Sequence, residues 1–236
     1  MEKFDEIKKN WLNVLNNVQN AAKNNQRDSD SIKIVAVSKS HPPEIIELAI
    51  KAGVTVFGEN YAQELRDKHQ YLEESGIKQP EWHFIGHLQS NKVKYIAPFV
   101  SMIHSVDSIN LAEEISKQAE KNNRVIDILL QVNTSGEYSK FGCEPEEVVS
   151  LFDSISKIKN LQVLGLMTIG TFSDDEKIIR TEFKLLRELR DNINKTKGVN
   201  LPHLSMGMSH DYEIAIEEGA TIVRIGTAIF GERVYY

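Results

Sequence analysis

The chain has 236 residues, of which 41% are apolar and 26% charged, the balance of a globular protein able to bury a core, for which disorder is not the default. Its 28 Lys and Arg against 34 Asp and Glu give a formal net charge of −6, so there is no overall basic field to collect nucleic acid. The single cysteine, Cys143, excludes an internal disulfide framework and a cysteine-based zinc site, and reads as a small buried residue.

Residues 1–26 place Phe4, Ile7, Trp11, Leu12, Leu15 and Val18 at spacings of three and four, which predicts an extra N-terminal helix lying outside the first strand. No continuous apolar run of signal-peptide or membrane-spanning length occurs there, so a cytoplasmic protein without a membrane partner is expected. Eight short Ile- and Val-rich runs follow: Ile32 to Val37, Val54 to Phe57, Trp82 to Ile85, Met102 to Val106, Ile126 to Val132, Val163 to Met167, His203 to Met206 and Ile222 to Ile225. Between them lie segments of helical periodicity. Pro42 to Ala52 starts on prolines and stops at Gly53, while Ser108 to Lys121 and Glu176 to Lys195 are longer and amphipathic. Strand and helix in regular alternation predict βαβ units and a parallel sheet. With no linker to divide them, residues 1–236 read as one α/β domain, a single (β/α)8 TIM-type barrel, a fold that takes about 250 residues.

In such a barrel the functional residues close the strands at their C-terminal ends. The first strand closes on Ser38-Lys39-Ser40, and a lysine at a low-dielectric mouth is poised to act as a neutral amine toward an aldehyde; a solvated strand-end lysine is the alternative. The loops after strands seven and eight commonly build a phosphate site. Here they carry Ser205-Met206-Gly207-Met208-Ser209, directly before the helical segment Asp211 to Glu218, and Gly226-Thr227, which bring hydroxyls, backbone N–H groups and room for close approach. Arg224 lies between Val223 and Ile225 inside strand eight, where its charge needs a partner. A carboxylate such as Glu59 is one option. A pyridine nitrogen is the other, and because guanidinium only donates, it would leave that ring unprotonated and a weak electron sink.

The motifs Val37-Ser38-Lys39, Phe57-Gly58-Glu59-Asn60-Tyr61, His83-Phe84-Ile85-Gly86-His87-Leu88-Gln89-Ser90-Asn91-Lys92, Gly165-Leu166-Met167-Thr168, Leu204 to Asp211 and Arg224-Ile225-Gly226-Thr227 occur in this order over nearly the whole chain. They resemble the pyridoxal phosphate homeostasis protein family. The resemblance implies an alanine racemase-like barrel with pyridoxal 5′-phosphate (PLP) as cofactor, Lys39 as its Schiff-base lysine and Arg224 facing the pyridine nitrogen. It further implies phosphate contacts from Ser209, Gly226 and Thr227, with Ser205, Met206, Gly207 and Met208 shaping that rim. Asn60 would lie beside the ring or its phosphate, or else cap the next helix. Met167 would line the cofactor face or pack in the barrel. His87 is a proton relay or a structural residue, and Ser90 to Lys92 read as the start of a helix. No metal-ligand spacing, G-x-S-x-G elbow or phosphate-binding P-loop is present in the sequence.

Three functions suit these residues. The resemblance implies a protein that binds, buffers and supplies PLP, with PLP-dependent apo-enzymes as recipients and a monomer or weak homodimer as the expected assembly. An amino-acid racemase is the second, but a two-base route needs an acid/base on the opposite face of the cofactor. The sequence ends at Tyr236, just after strand eight, which is expected to leave no room for the domain that carries that group in alanine racemases, and to allow at most a weak one-base activity. A Schiff-base aldolase using the phosphate loops for its substrate is the third, though it gives Arg224 no role.

Overall fold

The computed structural model describes residues 1–137 and 140–232. Eight strands, β1 (Lys33–Val37), β2 (Val56–Glu59), β3 (Glu81–Phe84), β4 (Met102–Val106), β5 (Ile126–Gln131), β6 (Leu161–Met167), β7 (His203–Ser205) and β8 (Ile222–Ile225), pair in chain order into a closed barrel. Every pairing is parallel, including the closing β1–β8 contact, where Val35 lies opposite Arg224. Around it run α1 (Glu2–Asn24), α2 (Pro43–Lys51), α3 (Ala62–Glu74), α4 (Ile109–Lys121), α5 (Val148–Ile155), α6 (Glu176–Lys197), α7 (Tyr212–Glu217) and α8 (Thr227–Phe230). No helix among the described residues is long and apolar enough to cross a membrane.

Period-two alternation sorts the strand residues into two apolar clusters. Ile34, Ala36, Phe57, Ile103, Ile128 and Val223 join the large shell between sheet and helices. Val35, Val56, Met102, Leu129, Met167 and Ile222 form a smaller cluster inside the barrel. Ser90 to Lys92 do open a helix, which between β3 and β4 is a 3₁₀ helix at Ser90–Tyr95. One expectation needs correction. Leu12 is 53% exposed; it sits about 140° around the axis from Ile7 at roughly 100° per residue, so Val14, Val18, Ala21 and Ala22 complete the buried stripe in its place.

Helix α1 braces the side of the barrel that carries the last two loops. Asn17 Nδ2 donates to the Tyr212 hydroxyl, Asn10 Nδ2 to the Ile229 carbonyl, and Arg27 to the carbonyls of Ile216 and Ala220. Trp11, on the same helix, is buried beside Gly53, its indole nitrogen 3.7 Å from where a Cβ there would stand. Trp11→Ala is therefore expected to lower the unfolding free energy by about 3 kcal/mol, read as an earlier midpoint in urea denaturation; an unchanged midpoint would show that α1 is dispensable to the barrel.

Candidate functional site

The strand ends meet at one cavity of about 500 Å³, lined by Val37, Lys39, Asn60, Ile85, Ile169, Phe172, Met208, Ser209, His210, Arg224, Gly226 and Thr227. Seven of the residues singled out in the sequence thus converge: Lys39, Asn60, Met208, Ser209, Arg224, Gly226 and Thr227. The walls from Val37, Ile85 and Ile169 are apolar, and the polar groups are few, the composition expected of a small-molecule site. Ile85, Ile169, Phe172 and His210 were not singled out in the sequence as lining residues. The signal for Ile85 is its place at the end of strand three; Ile169 and Phe172 sit on a loop with no comparable mark.

Lys39 is half-buried on the turn that follows β1, and a buried ionic cluster grips both of its neighbours. Lys68 Nζ donates to the Ser38 carbonyl (2.8 Å) and to Oε1 of Glu59 and of Glu64 (2.6 Å each). The Ser38 hydroxyl donates to Glu59 Oε1 at 2.6 Å, and the Ser40 amide to Glu64 Oε1 at 2.6 Å. Ser40 itself adopts a left-handed φ of 65°, a conformation that costs a non-glycine residue energy unless its surroundings impose it. Glu59 and Lys68 are fully buried. Burial pushes the Glu59 carboxyl up, to about 7, against the pull of Lys68.

Arg224 is buried on the inward face of β8. The expected alternative of an Arg224–Glu59 ion pair does not occur: Glu59 is taken by Lys68 and Ser38. Two of the five guanidinium N–H groups donate instead to neutral acceptors, Nη1 to the Ser205 hydroxyl (2.7 Å) and Nη2 to the Thr168 carbonyl (2.8 Å). Burial pushes this group down, to about 10, with Asp211 pulling the other way, so it stays protonated at neutral pH.

Across the cavity the two loops interlock. The Ser209 hydroxyl accepts from the amides of Gly226 (3.2 Å) and Ala228 (3.4 Å), and Asp211 Oδ1 accepts from the Met208 amide at 2.5 Å. Gly207 has φ 91°, and a Cβ there would stand 2.5 Å from the Ala215 methyl, so only glycine lets this loop pack on α7. Ser205, Met206 and Gly207 are buried behind the rim and do not line the cavity. Met167 is fully buried in the barrel-interior cluster and takes no part in the lining. Asn60 does not cap α3, whose N-cap is Tyr61; its Oδ1 is buried without a partner. At Gly86 a Cβ would collide with the Asn60 backbone, so glycine is what brings β3 up against this residue. His87 is exposed and stacks on Phe141 with ring centroids 3.8 Å apart, in a neighbouring groove with Gln89 and Lys92. Cys143 is buried, and burial pushes its thiol up to about 12, which makes it inert.

Residues 12–234 match the model of the alanine racemase N-terminal domain. The chain is 50% identical over 222 residues to the pyridoxal phosphate homeostasis protein of Aquifex aeolicus, spanning 94% of this chain and 96% of that one. The chain belongs to the pyridoxal phosphate homeostasis protein family. The human protein of that name is 40% identical over 231 residues, covering 92% and 83% of the two chains. Among solved structures, PipY of Synechococcus elongatus with PLP bound aligns at a TM-score of 0.80 and 32% identity over 91% of this chain and 100% of that one. Alanine racemase from Corynebacterium glutamicum aligns at a TM-score of 0.70 with 15% identity, over 98% of this chain and 62% of that one, a likeness of fold alone.

In this homeostasis-family barrel the cluster beneath Lys39 makes two measurable contributions. Lys68→Met leaves Glu59 buried without its cation and is expected to cost about 3–5 kcal/mol of stability, part of which Glu59→Gln restores in the double variant; equal stabilities in urea denaturation would count against the ion pair. Glu59 titrates near 7 in the folded protein against an ordinary 4.5. The folded state thus holds the proton more tightly, and this group adds stability as the pH falls from about 7 toward 4.5 and loses it as the pH rises. Stability profiles of the wild type and Glu59→Gln are expected to differ in slope across that window.

Proposed function

We propose that the chain binds pyridoxal 5′-phosphate as a Schiff base on Lys39 and serves as an intracellular carrier that buffers and supplies it, without a dedicated catalytic turnover. The observation that carries this reading is the convergence of Lys39, Arg224 and the Ser209–Gly226–Thr227 rim on one cavity of about 500 Å³. That space suits a small aromatic ligand with one anionic group. The relatives named for PLP homeostasis and the PLP-bound neighbour support the same cofactor.

The residues present fit PLP group by group. Lys39 brings the only lysine amine among the lining residues. Ser209, Gly226 and Thr227 offer hydroxyls and backbone N–H groups for a phosphate monoester. Val37 and Ile85 supply an apolar wall for a ring, and the partnerless Oδ1 of Asn60 awaits a donor. PLP, when bound, supplies an electrophilic aldehyde on a ring that withdraws electrons when its nitrogen is protonated. Arg224 can only donate to that nitrogen, so this chain presents the ring with a residue that suppresses the electron sink. A buried guanidinium in that position favours holding the cofactor over stabilising carbanions drawn from amino acids.

Covalent attachment is tested by adding PLP, reducing with borohydride and mapping the pyridoxyl group by mass spectrometry. The wild type is expected to carry it on Lys39; a protein left unmodified overturns the proposal. Lys39→Ala is expected to abolish attachment and keep cooperative unfolding, because the side chain lines a cavity and is absent from both apolar clusters. Ser209→Ala and Thr227→Val are each expected to speed cofactor loss by about tenfold, the worth of one hydrogen bond to a charged group. Unchanged dissociation in both variants and their combination would remove the phosphate assignment.

A further inference from the structure

The barrel interior is not uniformly apolar. His83 on β3 and His104 on β4 point inward and are fully buried, and neither belongs to the cavity lining. Together with Glu81 and Ser205 they form an unbroken hydrogen-bonded chain. Glu81 Oε1 is 2.8 Å from His83 Nε2, His83 Nδ1 is 2.8 Å from His104 Nε2, and His104 Nδ1 is 2.9 Å from the Ser205 hydroxyl. The Ser205 hydroxyl in turn accepts from Arg224 Nη1 at 2.7 Å. Glu81 begins β3 and is about one-third exposed, paired there with Lys33 at 2.6 Å. The chain therefore runs from the N-terminal rim of the barrel, through its centre, to the cationic wall of the cavity.

Chemistry leaves one proton arrangement for this chain. The Glu81 carboxyl is held down to about 2, chiefly by the hydrogen bond from His83 and also by Lys33, so it is ionised and only accepts. His83 must then donate from Nε2. Burial holds both imidazoles below their ordinary range, and Arg224, Lys33 and His203 add repulsion at His104 while Asp127 and Glu81 pull the other way at His83. Each ring is neutral, with one N–H and one acceptor. His83 Nδ1 accordingly accepts from His104 Nε2, and His104 Nδ1 accepts from the Ser205 hydroxyl. That leaves the Ser205 oxygen lone pairs to receive the Arg224 guanidinium. All four bonds point the same way, from a fixed cation to a fixed anion, an order in which successive hydrogen bonds polarise one another.

We propose that Glu81, His83, His104 and Ser205 form a positioning relay that sets the orientation of the Arg224 guanidinium toward the cavity, with the rim carboxylate as its remote counter-charge. The part of this that concerns the cofactor rests on the PLP reading above; the relay itself does not. None of the four residues lines the cavity, so they act through Arg224. The arrangement solves a problem of the site: a carboxylate beside Arg224 would satisfy its charge but occupy the donors that the ring nitrogen requires, whereas a serine takes one N–H and passes the polarisation down the barrel.

The relay is tested first in the wild-type protein without ligand, by nitrogen NMR of labelled histidine. His83 and His104 are both expected to be neutral with the proton on Nε2 at neutral pH, since burial holds both below their ordinary range. An imidazolium or an Nδ1–H tautomer at either ring at neutral pH overturns the relay, whatever the protein binds. The second measurement is PLP dissociation in a double-mutant cycle. Ser205→Ala and His104→Ala are each expected to raise Kd by about tenfold, and the double variant by about the same factor, because both break one chain. A roughly hundredfold, multiplicative loss, or no loss in His104→Ala, overturns the coupling to Arg224. A wild type that binds no PLP would end the cofactor reading while the histidine tautomers stood as measured, and the tautomer result decides even where a variant fails to fold.

Discussion

A permanent cation inside the barrel is the constraint on which the rest of the site depends. Removing a charge from water costs several kcal/mol even after relaxation, and Arg224 on β8 is almost wholly enclosed. Among the described residues it forms no ion pair with a carboxylate. Its Nη1 and Nη2 groups donate to a hydroxyl and a carbonyl, with Asp211 acting only at longer range. An anionic or electron-rich ligand entering the adjacent cavity would complete its solvation. The barrel is thus organised around an incomplete electrostatic arrangement, which distinguishes a binding site from a packed core.

The opposite wall is built on the contrary principle. Beneath Lys39 the charges meet at short range, with Lys68 shared between Glu59 and Glu64 and bonded to the Ser38 carbonyl, although Glu59 Oε2 has no hydrogen-bond partner. A buried ionic cluster of this kind contributes little net stability compared with apolar packing, but breaking it is costly. Its physical consequence is rigidity: Ser38 and Ser40, the residues either side of Lys39, are tied to β2 and α3, so the turn carrying the amine cannot relax without breaking buried bonds. One wall fixes the position of the Lys39 amine, while the other leaves charge to be satisfied by what enters.

Much of this was legible in the sequence because it is local or periodic. All eight strands lie within two residues of the apolar runs that foretold them, since short Ile- and Val-rich segments between amphipathic helices have few other arrangements. Lys39, Arg224 and the two glycine-containing loops stood out because they close or interrupt such runs. What escaped was set by contacts distant in sequence. Lys68 reads as an ordinary lysine on an amphipathic helix, and only the packing of α3 against the ends of β1 and β2 turns it inward to take Glu59 from Arg224. Asn60 looks like a helix cap until the start of α3 at Ala62 moves that role to Tyr61. His83 and His104 are 21 residues apart, and each alone is a polar residue in an apolar strand. Their contact exists only because β3 and β4 are neighbours.

That last pair shows why polar residues on the inward face of a barrel strand carry more information than those at its ends. A strand-end lysine or serine has solvent as an alternative, so its presence constrains little. An inward histidine has none, because an unsatisfied buried nitrogen would cost about 1–3 kcal/mol, and each satisfied nitrogen demands a partner of the complementary kind. Given the carboxylate of Glu81 at one end and a guanidinium that cannot accept at the other, the two rings and the serine between them have a single consistent order of donors. The direction of that order, from Arg224 to Glu81, follows from the inventory of donors and acceptors once the barrel has brought them within reach, and it makes the interior of this fold a part of its binding site.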